Sequence, residues 1–202
     1  VSGAAPTSKR RAAGRGVWFA AILLLLALLA PARAQEAQIG VESAQLQLAG
    51  EGAEAGWRLD ADFTLTLPPA LEDALNRGIA LYFTIDFEAY RERWYWFDSR
   101  VLDTRLSYRL TYSPLTRQYR LARGSLALPF DTLAEALSTM TRVRQWKVAE
   151  AGAFAAGAAY RARVRMRLDT AQLPRPFQID ALTNRDWALG SDWRAVAVPT
   201  DR

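Results

Sequence analysis

An alternating run near the C-terminus, Tyr160-Arg161-Ala162-Arg163-Val164-Arg165-Met166-Arg167-Leu168-Asp169, carries the densest chemistry in this sequence. A strand's period of two places Arg161, Arg163, Arg165 and Arg167 on one side, successive side chains about 7 Å apart. Guanidinium groups so spaced can grip an anionic polymer, a phosphate-bearing lipid or an acidic partner. The competing reading is internal: Asp86 and Glu88, on another alternating stretch, can neutralise the ladder across a strand pairing. A second candidate surface is Tyr90 to Phe97, where Arg91 and Arg93 sit among Trp94, Trp96 and other rings. Exposed, Trp, Tyr and Arg dominate binding hot spots, and aromatic rings also stack on sugars. Buried, the same run feeds the core while its arginines snorkel outward. Trp187 and Trp193 are candidates to join this cluster.

Two carboxylate pairs complete the inventory. Asp60/Asp62 and Asp86/Glu88 each fall on one strand face, about 6–7 Å apart, near the separation that glycosidases use. No neighbouring residue gives a cue for the raised pKa that a general acid needs, and solvated strand faces often carry such pairs. The chain holds no cysteine and no histidine. Zinc sites built on those ligands, cysteine nucleophiles and Ser-His-Asp relays are therefore excluded. Ser-Lys chemistry would have to use Lys147, the one lysine beyond the leader described below, and no suitable Ser-x-x-Lys precedes it. The Asp/Asn/Gly-dense loop that calcium prefers is missing too. No cofactor or metal is implied.

The elements that must position these residues are mostly strands. Leu59 to Leu67 alternates cleanly and is ended by Pro68-Pro69. A short helix is expected at Ala70 to Arg77, stopped by Gly78. Ile79 to Tyr90 reads as a strand with Leu81, Phe83, Ile85 and Phe87 on one face and Tyr82, Thr84, Asp86 and Glu88 on the other. Val101 to Ser113 and Arg117 to Arg123 read as a pair joined by Ser113-Pro114-Leu115-Thr116. Thr132 to Arg142 has a helical apolar stripe with Asp131 ahead of it as N-cap. Gly152 to Gly157 reads as a loop. Further strands are expected from Phe177 (FQIDAL) and, at an edge, from Trp193 to Val198. Near residues 39–48, Ile39 and Val41 are odd-numbered while Leu46 and Leu48 are even, which implies a bulge or break. The sum is a mainly β fold, a single antiparallel β-sandwich of about seven to eight strands with two short helices.

Residues 1–34 read as a secretory signal peptide. Lys9, Arg10, Arg11 and Arg15 precede an apolar run from Val17 to Ala30, and Ala32-Arg33-Ala34 has the small-x-small form of a cleavage site. The run is short for a membrane span, which needs about 20 residues; an uncleaved anchor is the competing reading. Residues 35–202 then form one domain in the periplasm, with no transmembrane segment after cleavage. Charge changes meaning with that removal. The chain has 26 Lys and Arg against 21 Asp and Glu, a net +5. The leader holds Lys9, Arg10, Arg11, Arg15 and Arg33 and no acid, so the remainder is neutral. A basic pI ordinarily raises nucleic-acid binding as a possibility; here it belongs to the leader, and no nucleic-acid partner is expected.

Several motifs resemble a known family. Ala74-Leu75-Asn76-Arg77-Gly78 leads to Leu81-Tyr82-Phe83, followed by Arg91-x-Arg93-Trp94-Tyr95-Trp96-Phe97-Asp98. Tyr108-Arg109-Leu110-x-Tyr112 continues to Leu115-Thr116-Arg117-Gln118-Tyr119-Arg120, and Phe130-Asp131-Thr132-Leu133-x-x-Ala136-Leu137 follows. Arg165-Met166-Arg167-Leu168-Asp169-Thr170-x-Gln172-Leu173-Pro174-Arg175-Pro176-Phe177-Gln178, Asn184-Arg185-Asp186-Trp187 and Ser191-Asp192-Trp193 close the pattern. Together they resemble the bacterial family called domain of unknown function 4390. The resemblance implies a proteobacterial envelope protein with no assigned activity, often encoded near sensor kinases of the nitrogen-regulation type. With catalytic residues scarce and arginines and aromatics abundant, the expectation is a non-enzymatic binding or adaptor module of the cell envelope. Its partner would be an envelope protein such as a sensor kinase ectodomain. An enzyme acting on envelope glycan through paired carboxylates, or a structural envelope component, are the alternatives.

Overall fold

The bulge foreseen at the first strand is present. In the computed structural model, which describes residues 39–92 and 99–199, β1 (Ile39–Ala49) pairs with β2 (Gly56–Leu65), and the register shifts between Val41 and Ser43. One extra residue lets Ile39 and Leu46, of opposite parity, both turn inward and be buried. The shift explains why a single alternation could not be read across this segment. The leader of residues 1–34 lies outside the described residues, as do Arg93, Trp94 and Trp96.

Two antiparallel sheets follow from the pairings. The smaller has the order β1-β2-β7, with β7 at Arg142–Glu150. The larger runs β6-β5-β4-β3-β8-β9. Its strands are β3 (Leu81–Arg91), β4 (Ser99–Ser113), β5 (Gln118–Arg123), β6 (Leu126–Phe130), β8 (Tyr160–Leu168) and β9 (Arg194–Val196). One apolar core joins both sheets: Leu59, Phe63, Val143 and Trp146 come from the smaller, and Phe83, Ile85, Phe87, Val164 and Met166 from the larger. The fold is mainly β, as the alternating patterns require. Among the described residues, no helix is long and apolar enough to cross a membrane.

Helix ends follow local chemistry. α1 (Pro69–Asn76) starts on proline at its first turn, where no N–H is needed. It stops at Gly78, whose φ of 87° suits glycine. Gly78 N–H donates to Leu75 O and Ile79 N–H to Ala74 O, at 2.8 and 3.0 Å, closing the orphan carbonyls. α2 (Leu133–Thr141) is capped by Thr132, not Asp131: the Thr132 hydroxyl accepts from Glu135 N–H at 3.2 Å. Thr132 thus fills the N-cap position, its hydroxyl satisfying one of the first-turn N–H groups.

Three expectations need correcting. The segment from Phe177 is a helix, α3 (Arg175–Thr183), not a strand. Phe177 and Ala181 pack on the core while Ile179 is 66 % exposed. That is an i, i+4 pattern, where a strand would have put all three on one face. The described residues therefore hold three helices. β6 and β7 complete their nine strands, and neither has a readable period. β7 carries inward residues at Val143, then at Trp146 and Val148. The change of parity comes from Gln145, whose φ of 52° marks a bulge opposite Asp60. β6 is a short edge strand containing Pro129, with consecutive exposed residues.

Candidate functional site

The site grows from the outward face of β3. Its inward residues Leu81, Phe83, Ile85, Phe87 and Ala89 are buried, so Thr84, Asp86, Glu88 and Tyr90 face the other way. Register then dictates their neighbours. Asp86 lies between Arg105 of β4 and Arg165 of β8; Glu88 lies between Asp103 and Arg163; Thr84 and Tyr90 are opposite Arg167 and Arg161. Asp86, flanked by arginines on both sides, has the favourable cross-strand arrangement; Glu88 has it on the β8 side only.

Asp86 is the hub. It is 3 % exposed, and its Oδ2 accepts from Arg165 Nε at 3.0 Å and Arg167 Nε at 2.9 Å. Arg105 Nε stands 3.4 Å from Oδ1. That contact is electrostatic only, because Oδ1 accepts no hydrogen bond among the described residues. Glu88 is the second anchor. Its Oε2 accepts from Tyr90 Oη at 2.7 Å and from Arg163 Nε and Nη2 at 2.9 and 2.6 Å. Arg100 Nη1 approaches Oε1 at 3.5 Å. Burial pushes the Glu88 carboxyl up, but the bonds from Tyr90 and Arg163 outweigh it and hold the group below its ordinary value. The hydrogen bond to Glu88 in turn pushes the Tyr90 phenol up.

Trp193 covers the ladder. Arg163 and Arg165 lie 4.2 and 4.4 Å from its ring centroid, and Arg163 also sits 5.0 Å from the Tyr90 ring. Stacking of this kind orients a guanidinium while leaving its edge open. Among the described residues Arg165 donates through Nε alone, so its terminal nitrogens keep their donors. Arg105 is still more open, with a side chain 59 % exposed. Arg163 is taken up by Glu88 and Tyr90 and Arg167 also approaches Asp169, so Arg105 and Arg165 are the arginines of this face with open outer ends.

The predicted residues divide accordingly. Arg161, Arg163, Arg165 and Arg167 share the face as the alternation requires, and Asp86 and Glu88 pair with three of them. Arg161 bonds Glu92 at 2.7 Å. Arg91 ends β3 in register with Tyr160, on the alternation of the inward residues rather than of the ladder. Arg93, Trp94 and Trp96 fall outside the described residues. Trp187 is buried against Phe177, with ring centroids 5.3 Å apart, whereas Trp193 belongs to the ladder. Arg100 and Arg105 were missed, although Asp103-x-Arg105-x-Ser107-x-Arg109 in β4 shows the same period of two.

The other carboxylate pair serves the smaller sheet. Asp60 Oδ1 accepts from Gln145 N–H at 2.6 Å and so pins the bulge. Asp62 accepts from Arg144 Nη2 and, at 2.9 Å, from Ser43 Oγ. The Arg144 bond holds the Asp62 carboxyl low against the effect of burial.

Over residues 36–197 the chain matches the family described as a domain of unknown function, DUF4390. It belongs to that family. No curated protein and no solved structure matches it. The match spans both sheets of this DUF4390 protein, including β3, β4 and β8 and the Trp193 segment that covers them.

Proposed function

We propose that this protein is a non-enzymatic binding or adaptor module of the bacterial cell envelope. Residues 1–34 would deliver it to the periplasm. There the outer face of β3, β4 and β8 engages an acidic surface of an envelope protein, a sensor kinase ectodomain being the partner class that the family resemblance suggests. One observation carries the reading: a buried carboxylate, Asp86, holds Arg165 and Arg167 by their Nε atoms and faces the Nε of Arg105, leaving the outer ends of Arg105 and Arg165 available. A preformed, oriented set of guanidinium groups binds carboxylate or phosphate with little entropy left to lose.

The test is crosslinking in the intact envelope followed by mass spectrometry of captured proteins. Wild type should recover one membrane-protein ectodomain, and Arg105→Gln and Arg165→Gln should lose it while the protein stays folded. Unchanged capture by both variants would remove this face from the interaction. Cleavage after Ala34 is checked by the N-terminal sequence of the protein recovered from the periplasmic fraction, which should begin at Gln35.

A further inference from the structure

Besides covering the ladder, Trp193 forms one wall of a depression of about 320 Å³. Its other walls are Gly40 and Val41 of β1 and Ser191, Asp192 and Arg194 of the segment that enters β9. The volume lies at the small end of ligand pockets, roughly 300–1,000 Å³, room for one sugar-sized ring. We infer that this depression binds a sugar bearing a negative charge, its ring against Trp193 and its charged group on Arg194. The inference rests on the binding-module reading above and names a ligand class for the same face.

Each wall supplies a different part of that recognition. The indole offers a flat apolar surface to the C–H face of a sugar ring. Arg163 and Arg165 stand 4.2 and 4.4 Å from the indole centroid, so a cationic ligand is disfavoured beside this wall and an anionic one is attracted. Ser191 Oγ accepts from Met166 N–H at 3.1 Å, which leaves its own proton free to donate to a ligand oxygen. Asp192 and Arg194 are exposed, and neither is held in a hydrogen bond or ion pair among the described residues. Asp192 can therefore accept from sugar hydroxyls, while Arg194 meets the charge. Among the described residues β1 pairs only with β2, which leaves its other edge open beside the depression. Backbone groups there are available to the remaining hydroxyls.

The experiment is isothermal titration of the protein, produced from its full gene in a bacterial host and purified as the cell processes it. The probes are glucose, glucuronic acid, glucose 6-phosphate and inorganic phosphate. One or both acidic sugars should bind at least about ten-fold more tightly than glucose and than phosphate. Arg194→Gln and Trp193→Leu should each weaken that binding by a similar factor. Arg194→Gln alters only an exposed side chain, so an unchanged urea midpoint shows that its effect is local. Glucose binding as tightly as the acids, phosphate binding as tightly as glucose 6-phosphate, or no binding of either acidic sugar overturns the inference. So does undiminished binding by Arg194→Gln. If the sugar site fails while Arg165→Gln still abolishes envelope capture, the arginine-face reading stands alone. If acidic sugars bind while capture ignores Arg165→Gln, the protein-partner reading is what fails.

Discussion

Replacing Asp86 by asparagine should lower the stability of the domain by about 1.5–3 kcal/mol. Asp86 accepts two charge-assisted hydrogen bonds, from Arg165 and Arg167, at 3.0 and 2.9 Å. Such bonds are worth roughly 1.5–3 kcal/mol each when the partner is left buried. The arginine side chains are 35 % and 29 % exposed, so water recovers part of the loss and about half the gross value survives. Asparagine keeps one acceptor oxygen for a weaker bond but removes the charge that three guanidinium groups share. At this chain length the expected fall in Tm is about 3–12 °C. Urea unfolding followed by tryptophan fluorescence measures it, with an unchanged m-value showing that the folded state is intact. Because the Asp86 side chain is 5 % exposed, 1 M NaCl should shrink the difference only slightly. A loss below about 0.5 kcal/mol would mean that the arginines are held by packing alone, and the hub argument would fail.

Glu88 sets an acid limb. Its carboxyl is held below its ordinary value of 4.5, so the unfolded chain takes up the proton first. The stability it contributes is complete above about pH 4.5 and is lost as pH falls toward its folded-state value. Glu88→Gln should flatten the pH-dependence of the urea midpoint in that range; an identical slope would contradict the Tyr90 and Arg163 bonds. At the β7 bulge, Gln145→Gly should cost nothing or gain a few tenths of a kcal/mol, because its φ of 52° suits glycine. Gln145→Val should lose about 1–2 kcal/mol, since a branched side chain resists that conformation. Equal stability of the two variants would show that the bulge relaxes.

The charge lattice was legible early because it depends on only two things, a period of two and opposite signs. Alternation in Tyr160–Leu168 and in Leu81–Arg91 put the arginines and the acids on strand faces before any pairing was known. The pairing itself is a choice of register, and a one-residue slip would have sent either set inward. Nothing local to β8 says that its neighbour is β3 rather than β2, whose Asp60 and Asp62 have the same spacing.

Local sequence determined the capped helices, the strand faces of the large sheet, the break in β1 and the absence of cysteine and histidine chemistry. Those features rest on neighbours within a few residues. Tertiary structure alone decided the rest: the parity switch at Gln145, the helix at Phe177 and the meeting of Trp193 with Arg163 and Arg165. A six-residue apolar pattern fits helix and strand equally well until a core selects which side is buried. The β7 bulge is invisible until a partner strand, here with Asp60, rewards it. Trp193 lies about thirty residues beyond the arginines it covers, so only the return of β9 against β8 could bring them together, and with them the depression that would take a ligand.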